Sequence, residues 1–314
     1  MSETEQREKL KVIYCMGSGR SGSTLMSIIL GNHPKISGPG EIYTIHRLKE
    51  ENFSCSCGER VEECTYWASI LEEWKSNVGI DSFNQYVFQS KNVVENFKSP
   101  IAWLNLILNY PSKRALYKNY QDNTYHYLSS IINHSKKPIL IDISKNPLRA
   151  FALLKHPNID LKLIHLVRDG RSLAFSLKNS RRENIRKRKV SRTALFWLIA
   201  NRQSDFVLKR AKNGLRIKYE DLALHTDRTL ERIAKVAEVD PKHLLDVIKG
   251  SLANDKSHIM EGNRLRNQKS IKIKLNTDWE EQLDFEKQRT FYRIAGKTLR
   301  RYGYQPLPKN KGVS

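Results

Sequence analysis

Gly17, Gly19 and Gly22, interleaved with Ser18, Arg20 and Ser21 and followed by Ser23 and Thr24, have the make-up of an anion-binding loop. From Gly17 through Gly22 to Thr24 the spacing is that of the nucleotide loop G-x-x-x-x-G-K-[ST], except that Ser23 stands where lysine belongs. Backbone N–H groups in such a loop can surround an anion at a helix N-terminus. The cation that grips β- and γ-phosphates is missing. Arg20, inside the loop, is the replacement on offer. The chemistry implied is nucleotide binding without ATP cleavage.

A second constellation is Arg168 with Ser176, in the stretch 166–176. Arg168 ends an apolar run that reads as a buried strand, and ligands of open α/β sheets gather at strand ends. A strand-end arginine and a serine on the next helix can converge on one phosphate, which the planar guanidinium fork binds through two N–H groups. The same residues also fit a salt bridge from Arg168 to Asp169 or Glu220, beside a surface serine.

Of the four cysteines, Cys15 falls in the first apolar run and reads as a buried small hydrophobe. Cys55, Cys57 and Cys64 form a Cys-x-Cys-x6-Cys cluster. Three thiolates could begin a zinc site, with His46 as a conceivable fourth ligand. A Cys55–Cys64 disulfide in an oxidising compartment and a reduced loop are the alternatives.

The elements that must hold these residues alternate. Apolar residues 12–16 read as a strand, and Leu25, Met26, Ile28, Ile29 and Leu30 as the helix after the loop. Residues 138–143, 161–167 and 215–219 read as further strands. Helices are expected over 147–154, through Leu173 and Leu177, over 227–237 and over 280–302, with a frayed tail from 305 to 314. Between them, 44–135 has helical spacing at Trp67, Ile70, Leu71 and Trp74 and at Trp103, Leu104, Ile107 and Leu108, which reads as a helical insertion. The pattern predicts an α/β fold in a single domain: a P-loop NTPase-like parallel sheet flanked by helices.

The 314 residues are 39% hydrophobic and carry a formal net charge of +22. So basic a chain favours anionic partners: a nucleotide, an acidic substrate, nucleic acid or a lipid surface. No apolar run reaches the ~18–20 residues needed to span a bilayer. The polar N-terminus is unlike a signal peptide, which leads to the expectation of a cytoplasmic protein. Residues 181–192 hold seven basic residues in twelve, a run that reads as a solvated face or as a means of steering an anion.

Taken together, the 19–24 loop and the Arg168–Ser176 stretch resemble the sulfotransferase family, enzymes that use 3′-phosphoadenosine 5′-phosphosulfate (PAPS). The resemblance implies that Ser18, Gly19, Arg20, Ser21, Gly22, Ser23 and Thr24 bind the 5′-phosphosulfate, and that Arg168 and Ser176 bind the 3′-phosphate. Tyr219 opens a Tyr-Glu-Asp-Leu segment that recurs in the family. Asn263 and Arg266, in a Gly-Asn-x-x-Arg segment, would close over the donor.

The order His33-Pro34, then Gly40-Glu41, is similar to the tyrosylprotein-sulfotransferase branch and its bacterial relatives. The resemblance makes Glu41 the base. Lys145, in a Ser-Lys-Asn-Pro turn just after the strand with Asp142, becomes the acid or leaving-group stabiliser. The expected reaction is in-line transfer of a sulfuryl group to a hydroxyl acceptor, with Arg20 and Lys145 supplying the cations and no metal required. One rival is a P-loop kinase, opposed by Ser23 and by the lack of a Mg²⁺ carboxylate other than Asp142. The other is a nucleic-acid-binding protein, for which charge alone speaks.

Overall fold

The computed structural model describes residues 8–93, 99–108, 111–178, 189–249, 252–253, 258–260, 270–271, 273 and 275–306. Its centre is a five-stranded sheet in the order β2-β3-β1-β4-β5, every neighbouring pair parallel. The strands are β1 (Leu10–Met16), β2 (Ile36–Ser37), β3 (Ile139–Lys145), β4 (Ile159–Val167) and β5 (Gly214–Lys218). The chain leaves the central β1 for one side of the sheet, builds β2 and β3 there, then crosses to β4 and β5 on the other.

Both faces are covered, which is why the strands read as nearly unbroken apolar runs. Val12, Tyr14 and Met16 of β1 enter one hydrophobic cluster and Ile13 and Cys15 the other, as the two-residue period of a strand requires. Helix α1 (Ser23–Gly31) packs in the second cluster. With it are α9 (Tyr219–Leu224), α10 (Thr226–Ala237) and α11 (Pro241–Lys249).

Between β2 and β3 the described residues form a 3-10 turn (Ile42–Arg47), then α2 (Thr65–Val78), α3 (Ile80–Val93), α4 (Pro100–Leu108) and α5 (Arg114–Ser135). Their apolar faces fill the first cluster, joined by α6 (Pro147–Leu153). Trp67, Ile70, Leu71 and Trp74 are all buried on α2, as their spacing predicts. On α4 the expected helix forms, but its buried residues are Trp103 and Leu106, while Leu104, Ile107 and Leu108 are exposed. The helix turns the i, i+3 pair inward, and a run this apolar does not reveal which stripe faces the core.

A third cluster joins α7 (Gly170–Lys178), α8 (Val190–Leu208) and the C-terminal helices. The helix expected over 280–302 is two: α12 (Trp279–Gln282) and α13 (Phe285–Arg301). Leu283 is extended and buried, and the Asp284 carboxylate accepts from Lys287 N–H, an N-cap that starts a new helix. A short antiparallel pair, β6 (Leu252–Ala253) with β7 (Ser270–Ile271), stands apart from the main sheet. The expected tail is held at its start, where the Gln305 carbonyl accepts from Arg171; residues 307–314 lie outside those described. Among the described residues, no helix is long and apolar enough to cross a membrane.

Candidate active site

The carboxyl ends of the five strands deliver the candidate residues. The loop 17–22 follows β1, Glu41 follows β2, Lys145 ends β3, Arg168 follows β4 and Tyr219 follows β5. This is the edge of an open parallel sheet where ligands bind, beside the strand at which the connection reverses direction.

The loop is shaped by its own side chains. Ser18 and Ser21 hydroxyls lie 2.9 Å apart, and Ser21 Oγ donates to the Ser18 carbonyl at 2.8 Å. Arg20 adopts a left-handed backbone, φ 67°. Gly22 precedes α1 at φ 97°, and a Cβ there would lie 2.4 Å from Tyr219 Cδ2, so the aromatic ring can close on the loop only over glycine. Helix α1 has no side-chain N-cap and no acid in its first turn; Ser23 and Thr24 are buried there. Its first N–H groups therefore face an environment suited to an anion.

Arg168 spans from β4 to this loop. Its Nη1 donates to the Arg20 carbonyl at 3.4 Å, and its guanidinium carbon lies 4.4 Å from the Tyr219 ring centroid. The salt bridges considered from sequence are absent among the described residues, because both carboxylates are engaged elsewhere. Asp169 binds Arg171 at 2.7 Å, while Glu220 accepts from Asp169 N–H at 3.1 Å and from the Tyr304 hydroxyl at 2.9 Å. Burial raises the Glu220 carboxyl above its ordinary value, against those hydrogen bonds. Arg168 Nε is buried without a hydrogen-bond partner among the described residues, a donor waiting for an acceptor. Ser176 sits half-buried in the second turn of α7.

Glu41 and Lys145 meet: Glu41 Oε1 is 2.5 Å from Lys145 Nζ. Lys145 is not in a turn beyond the strand, as expected, but is the last residue of β3. There the pairing slips, from Tyr14 opposite Asp142 to Met16 opposite Lys145, and Lys145 has φ 65°. The bulge re-aims its side chain at the end of the ladder. Glu41 is held through its backbone, whose carbonyl accepts from Thr44 N–H at 3.0 Å. Its turn is tied to β3 by Tyr43 N–H donating to Ser144 Oγ at 3.2 Å, and Pro39 O accepts from Met260 N–H at 2.9 Å.

Asp142, the residue through which a kinase would hold Mg²⁺, is fully buried and spent on structure. It accepts from Arg149 Nε at 3.2 Å, from Ser144 N–H at 2.8 Å and from the Ser144 hydroxyl. Arg149 in turn donates to the Tyr86 and Tyr120 hydroxyls.

His46 does not join the cysteines; its Nδ1 is 3.0 Å from the Tyr43 carbonyl oxygen. The histidine that does is His258, 194 residues beyond Cys64 in sequence and invisible to local spacing. None of the four cysteines is joined in a disulfide. Asn263, Arg266 and the basic residues 181–188 lie outside the described residues.

Residues 13–242, most of the chain, match the model of a family described as sulfotransferases. Curated proteins give no match. Among solved structures, the sulfotransferase domain of the Synechococcus PCC 7002 olefin synthase is similar over 94% of this chain and 98% of its own, at 19% identity and a TM-score of 0.50. A sulfotransferase domain from the curacin biosynthetic pathway is similar over 96% of this chain and 100% of its own, at 19% identity and a TM-score of 0.52. At this identity the likeness concerns the fold, a P-loop NTPase-like parallel sheet flanked by helices.

Proposed function

This chain belongs to the sulfotransferase family, and we propose that it moves a sulfuryl group from PAPS to a hydroxyl acceptor. The observation that carries the donor assignment is the loop beside Arg168. It offers an uncapped helix N-terminus with serine in place of the kinase lysine, next to an arginine that has no carboxylate partner among the described residues. Ser18 to Thr24 would hold the 5′-phosphosulfate, and Arg168 with Ser176 the 3′-phosphate. The Tyr219 ring packs against the Arg168 guanidinium, and Asn263 and Arg266 would complete the enclosure. When bound, PAPS supplies an activated sulfuryl group on a phosphate leaving group.

In this reading the acceptor oxygen forms a bond to sulfur as the bond from sulfur to the phosphate oxygen breaks. Glu41 takes the acceptor's proton. Lys145 Nζ and the Arg20 guanidinium hold the charge that grows on the bridging and sulfuryl oxygens. A base and a leaving-group cation must act on opposite sides of the transferred group. The Glu41–Lys145 ion pair at 2.5 Å therefore has to open to admit the reactants. The basic chain, at +22, suits a donor with two anionic groups, the 5′-phosphosulfate and the 3′-phosphate, and an acidic acceptor.

The test is thermal stabilisation by adenosine 3′,5′-bisphosphate against ATP with Mg²⁺. The bisphosphate is expected to raise Tm clearly and ATP–Mg²⁺ little. Equal or greater stabilisation by ATP–Mg²⁺ would remove the donor assignment in favour of a kinase-like phosphotransferase.

A further inference from the structure

Cys55, Cys57, Cys64 and His258 stand outside the machinery described above, yet their ligand atoms all lie within 4.8 Å of one another. Cys64 Sγ is 3.1 Å and Cys55 Sγ 3.6 Å from the same ring nitrogen, His258 Nδ1. One imidazole nitrogen has a single in-plane direction, for a proton or for a lone pair, so it cannot serve two thiols well. A cation at the shared point serves both. Around a tetrahedral zinc the sulfur-to-nitrogen separation is ~3.6 Å, from bonds of ~2.3 and ~2.05 Å. Cys55 stands at that separation, and Cys64 would move outward by about half an ångström to reach it.

The surrounding backbone builds such a point. Cys55 N–H donates to the Glu59 carbonyl at 2.9 Å, Gly58 N–H donates to the Cys55 carbonyl at 3.1 Å, and Ser54 pairs with Arg60. Gly58, at φ 102°, turns this tight knuckle so that Cys55 and Cys57 face one side. Cys64 arrives as the residue capping α2. His258 is brought in from 194 residues beyond Cys64 and is held by its neighbours. Tyr66 stacks on its ring at 4.9 Å, Trp67 Nε1 donates to its carbonyl at 3.0 Å, and Ser56 and Ile259 exchange two hydrogen bonds.

We propose that these four side chains form a Cys3His zinc site. Three soft thiolates with one imidazole select zinc over the oxygen-loving Mg²⁺ and Ca²⁺. Four protein ligands leave no open coordination position, so the site is structural and activates no water. It joins residues 55–64 of the insertion to the segment His258–Met260, whose Met260 N–H holds Pro39, two residues before Glu41. The zinc thus steadies the turn that carries Glu41, although the assignment does not depend on what reaction that turn serves.

The experiment is the metal content of the full-length protein, purified without chelator, for wild type and variants, with a count of free thiols after denaturation. Wild type is expected to hold about one zinc per chain. Cys64→Ser and His258→Ala should lower zinc by more than ~10-fold, His258→Cys should keep it as a four-thiolate site, and Cys15→Ala should leave it unchanged. Cobalt substituted into wild type should show the ligand-field and thiolate charge-transfer bands of a tetrahedral thiolate site, and Cys57→Ser, a change at an exposed ligand, should weaken them. Wild type that holds no zinc after growth with zinc overturns the site, whether its thiols count as free or as a Cys55–Cys64 disulfide. So does a Cys64→Ser protein that folds and retains full zinc.

Discussion

Glu41 Oε1 and Lys145 Nζ, on the turn after β2 and at the end of β3, form an ion pair 2.5 Å long, with each side chain a little under one-fifth exposed. Neither residue reaches the other by sequence proximity. The β-bulge before Lys145 and the Gly40–Glu41 turn bring them together at the strand ends, within the same sheet edge as the loop 17–22.

If Glu41 is the base, Glu41→Gln removes proton acceptance while keeping size and shape. Turnover is expected to fall by about 10²–10⁴-fold, with the affinity for adenosine 3′,5′-bisphosphate nearly unchanged. Lys145→Ala should likewise lower turnover more than donor binding. Steady-state rates alongside calorimetric titration of the bisphosphate check both. Near-normal turnover in Glu41→Gln would leave the pair as a structural ion pair only.

Arg168 has its guanidinium over Tyr219 and one buried N–H unsatisfied. Arg168→Ala is expected to weaken the 3′,5′-bisphosphate by about 1.5–3 kcal/mol, the worth of a charge-assisted hydrogen bond, and to weaken adenosine 5′-monophosphate much less. Arg168→Lys should recover only part, since an ammonium lacks the fork. Equal losses for the two ligands would mean that Arg168 merely shapes the loop through its contact with the Arg20 carbonyl.

Two loop glycines should respond differently. Gly22→Ala puts a Cβ into the Tyr219 ring at φ 97° and is expected to cost about 1–3 kcal/mol of stability. At Gly19 a Cβ meets nothing within 4 Å, so Gly19→Ala should leave Tm within a degree or two, inside the ~0.5 kcal/mol of an ordinary surface change. Similar Tm losses for both would show that Tyr219 does not lie against Gly22 in solution.

Acid stability should depend on Asp205, buried on α8. Burial by itself would raise its carboxyl. His165 at 3.3 Å, the Arg216 guanidinium and the Tyr302 hydroxyl at 2.9 Å override that and lower it to about 2. A carboxyl depressed from ~3.9 in the unfolded chain contributes stability that is whole above pH ~4 and is lost as pH falls towards 2, of the order of 2 kcal/mol. Asp205→Asn is expected to be less stable at pH 7 and to show a flatter fall in Tm across that window. A parallel pH profile in wild type and variant would place the acid sensitivity elsewhere.

Most of this fold was open to reading in one dimension because its physics is local. Strands buried on both faces are apolar runs, α1 is apolar and buried almost all round, α10 has one apolar stripe, and a tight strand-to-helix turn needs its glycines at set positions, so β1, β4, α1, α10 and the turn 17–22 could all be found from types and spacing. Residues that depend on distant partners could not. The two-residue β2 is too short to leave a period. The bulge that aims Lys145 arises from pairing with β1, not from its own neighbours. Asp142 looks like a metal or proton ligand until Arg149, seven residues on, is seen bound to it in the core. His46 and His258 are alike by type, and closeness in sequence favours His46, which does not join the cysteines. Only packing, which carries residue 258 back across the chain to Cys64, selects between them.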